Sequence, residues 1–474
     1  MAKSFLVAGI PTTSTDTFEV ADPYNAEVVA EVCSPSDTDV ENALGAAHGC
    51  FDESRKLPIH VRAEGLMHIS RRLKERADEI AELIAREGGK PIKWARVEAD
   101  RAVATFRWAA EEIRREPGEL MRLDTDESLG PRAAIIRRFP RGPVLAIAPF
   151  NFPVNLVAHK MAPALAVGAP VVIKPATKTP LGALVLGEIF LETEFPKEML
   201  SVLPISGGRA GELARDERFK KISFTGSSQV GWELAKADPK KKVTLELGGN
   251  AGVIVHSDAD LEHAAERIAF GGYYQAGQSC VSVQRVFVHS DVAGAFKEHL
   301  RAAVEGLTTG NPMDEATDVG PLIDKEALDK VSLWVDEAVQ AGAEIVTGGK
   351  REDPFYLPTI LTNTTSGMKV RRDEIFGPVT TLDTYSDFSE AIDRVNETNY
   401  GLQAGVFTND MQRIFYAHRE IQAGGVVVND VSAFRADQMP YGGTKDSGTG
   451  REGLRWAMEE MTEPKVLVLS NVDL

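Results

Sequence analysis

Apolar positions first recur at helical spacing over 61–90, where Leu66, Ile69, Leu73, Ile80 and Ile84 share one stripe and Gly88-Gly89 supplies a stop. The spacing predicts one amphipathic helix there and a second over 95–115, ended by Pro117. The segment 121–139 begins charged and turns β-like from Ala134. From Gly142 the pattern becomes regular. Strands are predicted at 144–148, 171–173, 199–203, 221–224 and 243–247. Helices are predicted between them at 155–167 (interrupted by Pro163), 181–191, 210–215 and 229–236. Such alternation implies a parallel sheet with crossover helices, which binds nucleotides at the carboxyl ends of its strands.

A second α/β block follows. Its strands are predicted near 253–255, 284–288, 379–382, 403–407 and 425–428, with helices at 261–269 and 327–341. The tail, 465–469, is an apolar β-like run after a helix. Left alone such a strand invites aggregation, so pairing with another subunit is the expected remedy.

A chain of 474 residues exceeds one ordinary domain, so two or three are expected. The net charge of -17 argues against nucleic acid or an anionic membrane as partner, while leaving room for a small anion held by local arginines. The three cysteines, Cys33, Cys50 and Cys280, are too few and scattered for a disulfide framework or a Cys-rich zinc site. No metal is expected. The apolar run 5–10 is short for a signal peptide, and no apolar stretch is long enough to span a bilayer, so a cytoplasmic location is expected.

Several short motifs bear chemistry, and each has a plainer reading. Gly277-Gln-Ser-Cys280 places a thiol just before a strand, as a nucleophile or as a small buried hydrophobe. Glu246 stands between two leucines in Thr244-Leu-Glu-Leu-Gly-Gly249, as a general base with a raised pKa or as half of an ion pair. Pro149-Phe-Asn-Phe-Pro153 fixes Asn151 in a stiff turn, as an oxyanion donor or as a cap on its own backbone. Val172-Ile-Lys-Pro-Ala-Thr177 puts Lys174 at a strand end, near ribose or phosphate or simply in solvent. Ser223-Phe-Thr-Gly-Ser-Ser228 suits a pyrophosphate on a helix N-terminus, or only an N-cap. Gly207-Gly-Arg-Ala-Gly211 is not a dinucleotide fingerprint, and Glu374-Ile-Phe-Gly-Pro378 reads alone as a turn.

Together, and in this order with Pro440-Tyr-Gly-Gly443 through Gly453, these motifs make the chain resemble the aldehyde dehydrogenase superfamily. The resemblance runs from Asp22-Pro-Tyr-Asn-Ala-Glu-Val-Val29 to the Lys465-Val466 tail. It implies an α/β fold in three parts. These are a Rossmann-like cofactor domain (1–118 and 141–249), an α/β catalytic domain (250–430) and a small bridging β element for oligomerisation (119–140 and 455–474). It implies a homodimer or homotetramer that uses NAD or NADP to oxidise a small aldehyde. By the same resemblance Cys280 is the nucleophile, Asn151 with the Cys280 N–H the oxyanion donor, and Glu246 the base that activates water. Lys174 and Ser227 contact ribose and phosphate, and Glu374 the nicotinamide ribose with Phe376 beside it. Phe150, Thr177, Gly226 and Leu247 complete the cofactor set. Members that pass the acyl group to coenzyme A commonly lack the glutamate, so Glu246 favours hydrolysis over that alternative. A non-enzymatic protein on this fold would have no need of all three groups.

Thr177, followed by Lys178, stands where many NAD-preferring members have glutamate; without that carboxylate a 2′-phosphate is tolerated. The stretch Phe434-Arg-Ala-Asp-Gln-Met-Pro-Tyr-Gly-Gly443, with Arg101 and His159, is similar to the branch holding lactaldehyde, non-phosphorylating glyceraldehyde-3-phosphate and phosphonoacetaldehyde dehydrogenases. Arg101 and Arg435 are placed by it to pair with an anionic substrate group, or to form structural ion pairs. Ser279 stands before the cysteine where some phosphate-binding members have arginine, which weighs against a phosphorylated substrate.

Overall fold

The computed structural model describes residues 2–115 and 118–471. Three sheets of three or more strands organise these residues, with three two-stranded pairs beside them. In the first, five parallel strands stand in the order Leu200–Val202, Val171–Lys174, Val144–Ile147, Lys221–Thr225, Lys242–Glu246. The strand order reverses between Val144–Ile147 and Lys221–Thr225, which makes the carboxyl edge there a crevice for a ligand. Phe5–Val7 and Ile10–Thr12 extend one side antiparallel, and Gly448–Thr449 closes the other against Lys242–Glu246. That last strand was not anticipated; it carries the late glycine-rich segment back to Glu246.

Strands Val144–Ile147, Val171–Lys174 and Lys221–Thr225 are buried on both faces; Val144–Ile147 is a continuous apolar run, whereas Lys221–Thr225 puts Lys221, Ser223 and Thr225 on one face and Ile222 and Phe224 on the other. Helix Asn155–Val167 is buried along its whole length and runs unbroken through Pro163. The expected interruption is absent because packing on all sides holds the helix despite the missing N–H. The region 61–90 is two helices, Ile59–Glu75 and Ala77–Gly88, parted at Arg76. The next helix is Ile92–Ile113.

The second sheet has seven strands, Glu344–Thr347, Thr359–Thr362, Val379–Tyr385, Val283–His289, Ala251–Val255, Gln403–Phe407 and Gly425–Val428, parallel except for the first. The third pairs Thr462–Ser470 with Arg132–Pro140, and Arg132–Pro140 with Glu119–Arg122, all antiparallel. The tail strand therefore has a partner within its own chain. Helix Leu454–Met461 differs from the expectation for 455–474: Leu454, Met458 and Met461 sink into the core of the first sheet, and the bridging strand begins only after it. Among the described residues no helix is long and apolar enough to cross a membrane.

Candidate active site and cofactor cleft

The reversal in the first sheet gathers the expected cofactor residues on one edge. Phe150 follows strand Val144–Ile147, Lys174 ends Val171–Lys174, Gly226 and Ser227 follow Lys221–Thr225, and Leu247 follows Lys242–Glu246. Ser227 is the N-cap of the ten-residue helix Ser228–Ala237, yet its side chain makes no capping bond, so the helix N–H groups face outward. The Lys174 ammonium has no hydrogen-bond or ion-pair partner among the described residues, and burial pushes its pKa down to about 8. Thr177 is exposed, and neighbouring Lys178 is tied to Asp324 at 2.6 Å. Across the cleft Phe376 meets Phe150 edge to face, ring centres 5.9 Å apart. The Glu374 carboxylate accepts from the Gly249 N–H at 2.8 Å, and burial raises it to about 7. An unpartnered cation, an open helix N-terminus and a carboxylate along one crevice fit a dinucleotide: anionic phosphates at the first two, ribose hydroxyls at the third.

Beside this cleft lies the candidate reacting centre. After helix Leu261–Tyr273 the chain enters a turn in which Gln275 and Ala276 hold φ of 53° and 54° and Gly277 one of 69°. Left-handed non-glycine residues cost about 1 kcal/mol or more each, so tertiary contacts must hold this turn. They do. Gln275 Nε2 donates to the Asn151 carbonyl, and Ile323 N donates to Gln278 Oε1 at 3.0 Å. Asn151 Nδ2 in turn donates to the Gln278 carbonyl at 3.0 Å, which ties the Asn151 turn to the loop that ends at Cys280. Gly249 is needed for the same assembly, because a Cβ there would sit 2.2 Å from the Cys280 carbonyl oxygen.

Cys280 is half-buried, with its Sγ 3.2 Å from the Tyr441 hydroxyl. Burial pushes the thiol up to about 11. The Tyr441 hydroxyl and Arg435 oppose this, while Glu374 and Glu246 add to it. Glu246 is buried, and neither carboxyl oxygen has a hydrogen-bond partner among the described residues. Burial first, then the Glu452 carboxylate, raises it well above the ordinary range, against the pull of Arg435, Lys160 and Arg451. Glu452 is held the other way. Burial opposes its charge, but Lys160 at 2.8 Å and Arg435 at 3.0 Å keep its carboxyl below the usual range. The set thus offers a sulfur and an amide from two separate loops and a carboxyl from the end of strand Lys242–Glu246.

The expected substrate residues are also near, though already engaged. Arg101 donates to both Asp437 oxygens, at 2.7 and 3.3 Å, and His159 Nε2 lies 2.8 Å from the same carboxylate. Arg435 pairs with Glu452 and lies 3.8 Å over the Tyr441 ring, while its buried Nε has no partner among the described residues. Ser279 Oγ accepts from Tyr274 at 2.8 Å. Neither arginine is a bare cation. Lys160, Asp437, Tyr441 and Glu452 were not picked out from the sequence. A lysine inside the largely apolar run of helix Asn155–Val167 was the available signal.

The chain matches the profile of the aldehyde dehydrogenase family over residues 10–467 and belongs to that family. It is an oxidoreductase that uses NAD or NADP to oxidise an aldehyde. A 3-sulfolactaldehyde dehydrogenase of Priestia aryabhattai is 45% identical over 97% of this chain and 96% of its own length. Aldehyde dehydrogenase 21 of Physcomitrella patens, solved with its reaction product succinate, is 43% identical with a TM-score of 0.98, covering 100% of this chain and 99% of that one. The glyceraldehyde-3-phosphate dehydrogenase GapN of Methanocaldococcus jannaschii, solved with NADP, is 38% identical with a TM-score of 0.92, covering 97% and 100%.

Proposed function

We propose that this enzyme oxidises a small anionic aldehyde to the free carboxylic acid through a thioester on Cys280. The observation that carries the reading is the convergence of Cys280, Asn151 and Glu246, with Asn151 bonded to the backbone two residues before the cysteine. The Cys280 thiolate adds to the aldehyde carbon. The free N–H of the Asn151 amide and the Cys280 backbone N–H stabilise the oxyanion, with one such donor contributing about 3 kcal/mol. When bound, the nicotinamide supplies the hydride acceptor that side chains lack. Glu246 then takes a proton from water, which cleaves the thioester and frees Cys280. A raised pKa suits that role, because a more basic carboxylate takes a proton from water more readily.

Lys174, Ser227, Gly226, Phe150, Leu247, Thr177, Glu374 and Phe376 form the cofactor site in this reading, and NADP is favoured because Thr177 and Lys178 bring no carboxylate to the ribose. For the substrate, Arg435 presents a buried Nε with no partner among the described residues, its charge opposes the burial that raises the Cys280 thiol, and Arg101 pairs with the neighbouring Asp437. Relatives named for 3-sulfolactaldehyde and glyceraldehyde-3-phosphate, and one solved with succinate, support an anionic substrate. His159 and Ser279 complete the pocket. The third sheet exposes Leu120, Met121, Val466, Leu467 and Val468, which supports assembly as a homodimer or homotetramer. A cytoplasmic setting belongs to the same proposal.

A panel of anionic and neutral aldehydes of equal length, tested on wild type and on Arg101→Ala and Arg435→Gln, checks the substrate class. The expected result is a selective loss of about tenfold or more in kcat/KM for the anionic members. Equal loss on both sets rejects anion recognition.

A further inference from the structure

The geometry points to Tyr441 as a catalytic residue, its phenol O–H donating to Cys280 Sγ and readying the thiolate, with Arg435 holding the phenol in place. This inference rests on the reading of Cys280 as nucleophile.

The contact is 3.2 Å, within hydrogen-bond range for sulfur. Among the described residues no other group bonds this hydroxyl. Once the sulfur is a thiolate it has no proton to give, so it can only accept, and the phenol, ordinarily titrating at about 10, is the donor. Burial and the adjoining sulfur keep that phenol protonated. The ring is fixed from three directions. Its backbone exchanges hydrogen bonds with Glu452, Tyr441 N to Glu452 O at 3.0 Å and Glu452 N to Tyr441 O at 2.7 Å. Val281 and Leu402 bury its edge. The Arg435 guanidinium covers its face at 3.8 Å and is itself pinned to the Glu452 carboxylate at 3.0 Å. A cation over the ring also draws electron density from the phenol and strengthens its O–H as a donor.

The surroundings make such a donor necessary. Besides Tyr441, the charged and titratable groups that face the sulfur are Glu374, Glu246, Arg435 and Tyr274, and two of these are carboxylates that disfavour a thiolate. Were Tyr441 only a wall of the pocket, a phenylalanine would serve equally, with the same ring under the same arginine.

The test is the pH dependence of Cys280 alkylation by iodoacetamide, read by mass spectrometry of the Cys280 peptide, in wild type and Tyr441→Phe. The variant is expected to alkylate about tenfold more slowly at every pH below the thiol pKa and to reach the same plateau above it, a shift of about one unit upward. An unchanged profile makes Tyr441 a wall. A faster one means that the thiol donates to the phenol. Either result overturns the proposal. Site-specific 3-fluorotyrosine at 441 keeps the shape but acidifies the phenol, so it should speed alkylation below the plateau, and slower alkylation there counts equally against the idea. The nucleophile reading fails on a different result, a Cys280→Ser enzyme that still oxidises aldehyde at the wild-type rate.

Discussion

Lys160 and Glu452 form a buried ion pair 2.8 Å long, and the candidate base Glu246 lies within the field of both. The pair comes from distant parts of the chain, the helix Asn155–Val167 and the glycine-rich segment after strand Gly448–Thr449. Its two charges act on Glu246 in opposite senses.

From this follows a pH prediction of fixed sign. Glu246 has a raised folded pKa, so its basic form appears only as pH climbs through that value, and thioester hydrolysis rises with it. Lys160→Met removes a stabilising cation and should move the rise to higher pH. Glu452→Gln removes a repelling anion and should move it to lower pH. Shifts of about one unit are expected for charges this close in a buried site. Single-turnover hydrolysis of the preformed acyl-enzyme across pH measures both. Shifts in the same direction, or none, would show that the pair does not tune Glu246.

A second buried pair bears on stability. Lys90 donates to Glu98 and sits 3.9 Å over the Phe152 ring. The other Glu98 oxygen accepts from Val154 N at 3.0 Å and Asn155 N at 3.2 Å, at the start of the helix that follows the Asn151 turn. Glu98→Gln strands the Lys90 ammonium and should cost roughly 3–5 kcal/mol in denaturant unfolding. The double variant Lys90→Met, Glu98→Gln removes the stranded charge and should recover part of that loss. Strictly additive losses would contradict the pairing.

Cofactor choice is tested at Thr177. Thr177→Glu places a carboxylate in the exposed position next to the Lys174 strand end, where it repels a 2′-phosphate and accepts from a free ribose hydroxyl. The ratio of kcat/KM for NADP over NAD should fall about tenfold or more, measured by steady-state reduction of each cofactor. An unmoved ratio would put the ribose elsewhere.

Much of this was legible before any coordinates. The Val144–Ile147 and Val171–Lys174 strands announce themselves as short apolar runs, because a parallel sheet covered on both faces favours apolar residues, while Lys221–Thr225 shows instead as an alternation of polar and apolar positions. Cys280 and Asn151 stood out because each sits in a glycine- or proline-marked turn, and Glu246 because it is a carboxylate between two leucines at a strand end. The break at Arg76 was not visible, since the apolar stripe continues across it. Pro163 misled because propensity rules describe exposed helices, and this one is buried throughout. Tyr441, Glu452 and Asp437 were hidden for another reason. Their importance lies in contacts with Cys280, Lys160 and Arg101, at sequence separations that no local pattern encodes. For the same reason the sequence showed the charges of Arg101 and Arg435 but not the carboxylates that hold them.

In the proposed reaction an acyl group rests on Cys280 until Glu246 activates water. Glu246→Gln, mixed with aldehyde and NADP, should release one equivalent of reduced cofactor per active site in a burst and then slow about a hundredfold or more. Mass spectrometry of the quenched protein should then find the acyl mass on the Cys280 peptide. A variant that turns over at the wild-type rate, or an acyl group carried by any other residue, would contradict the account.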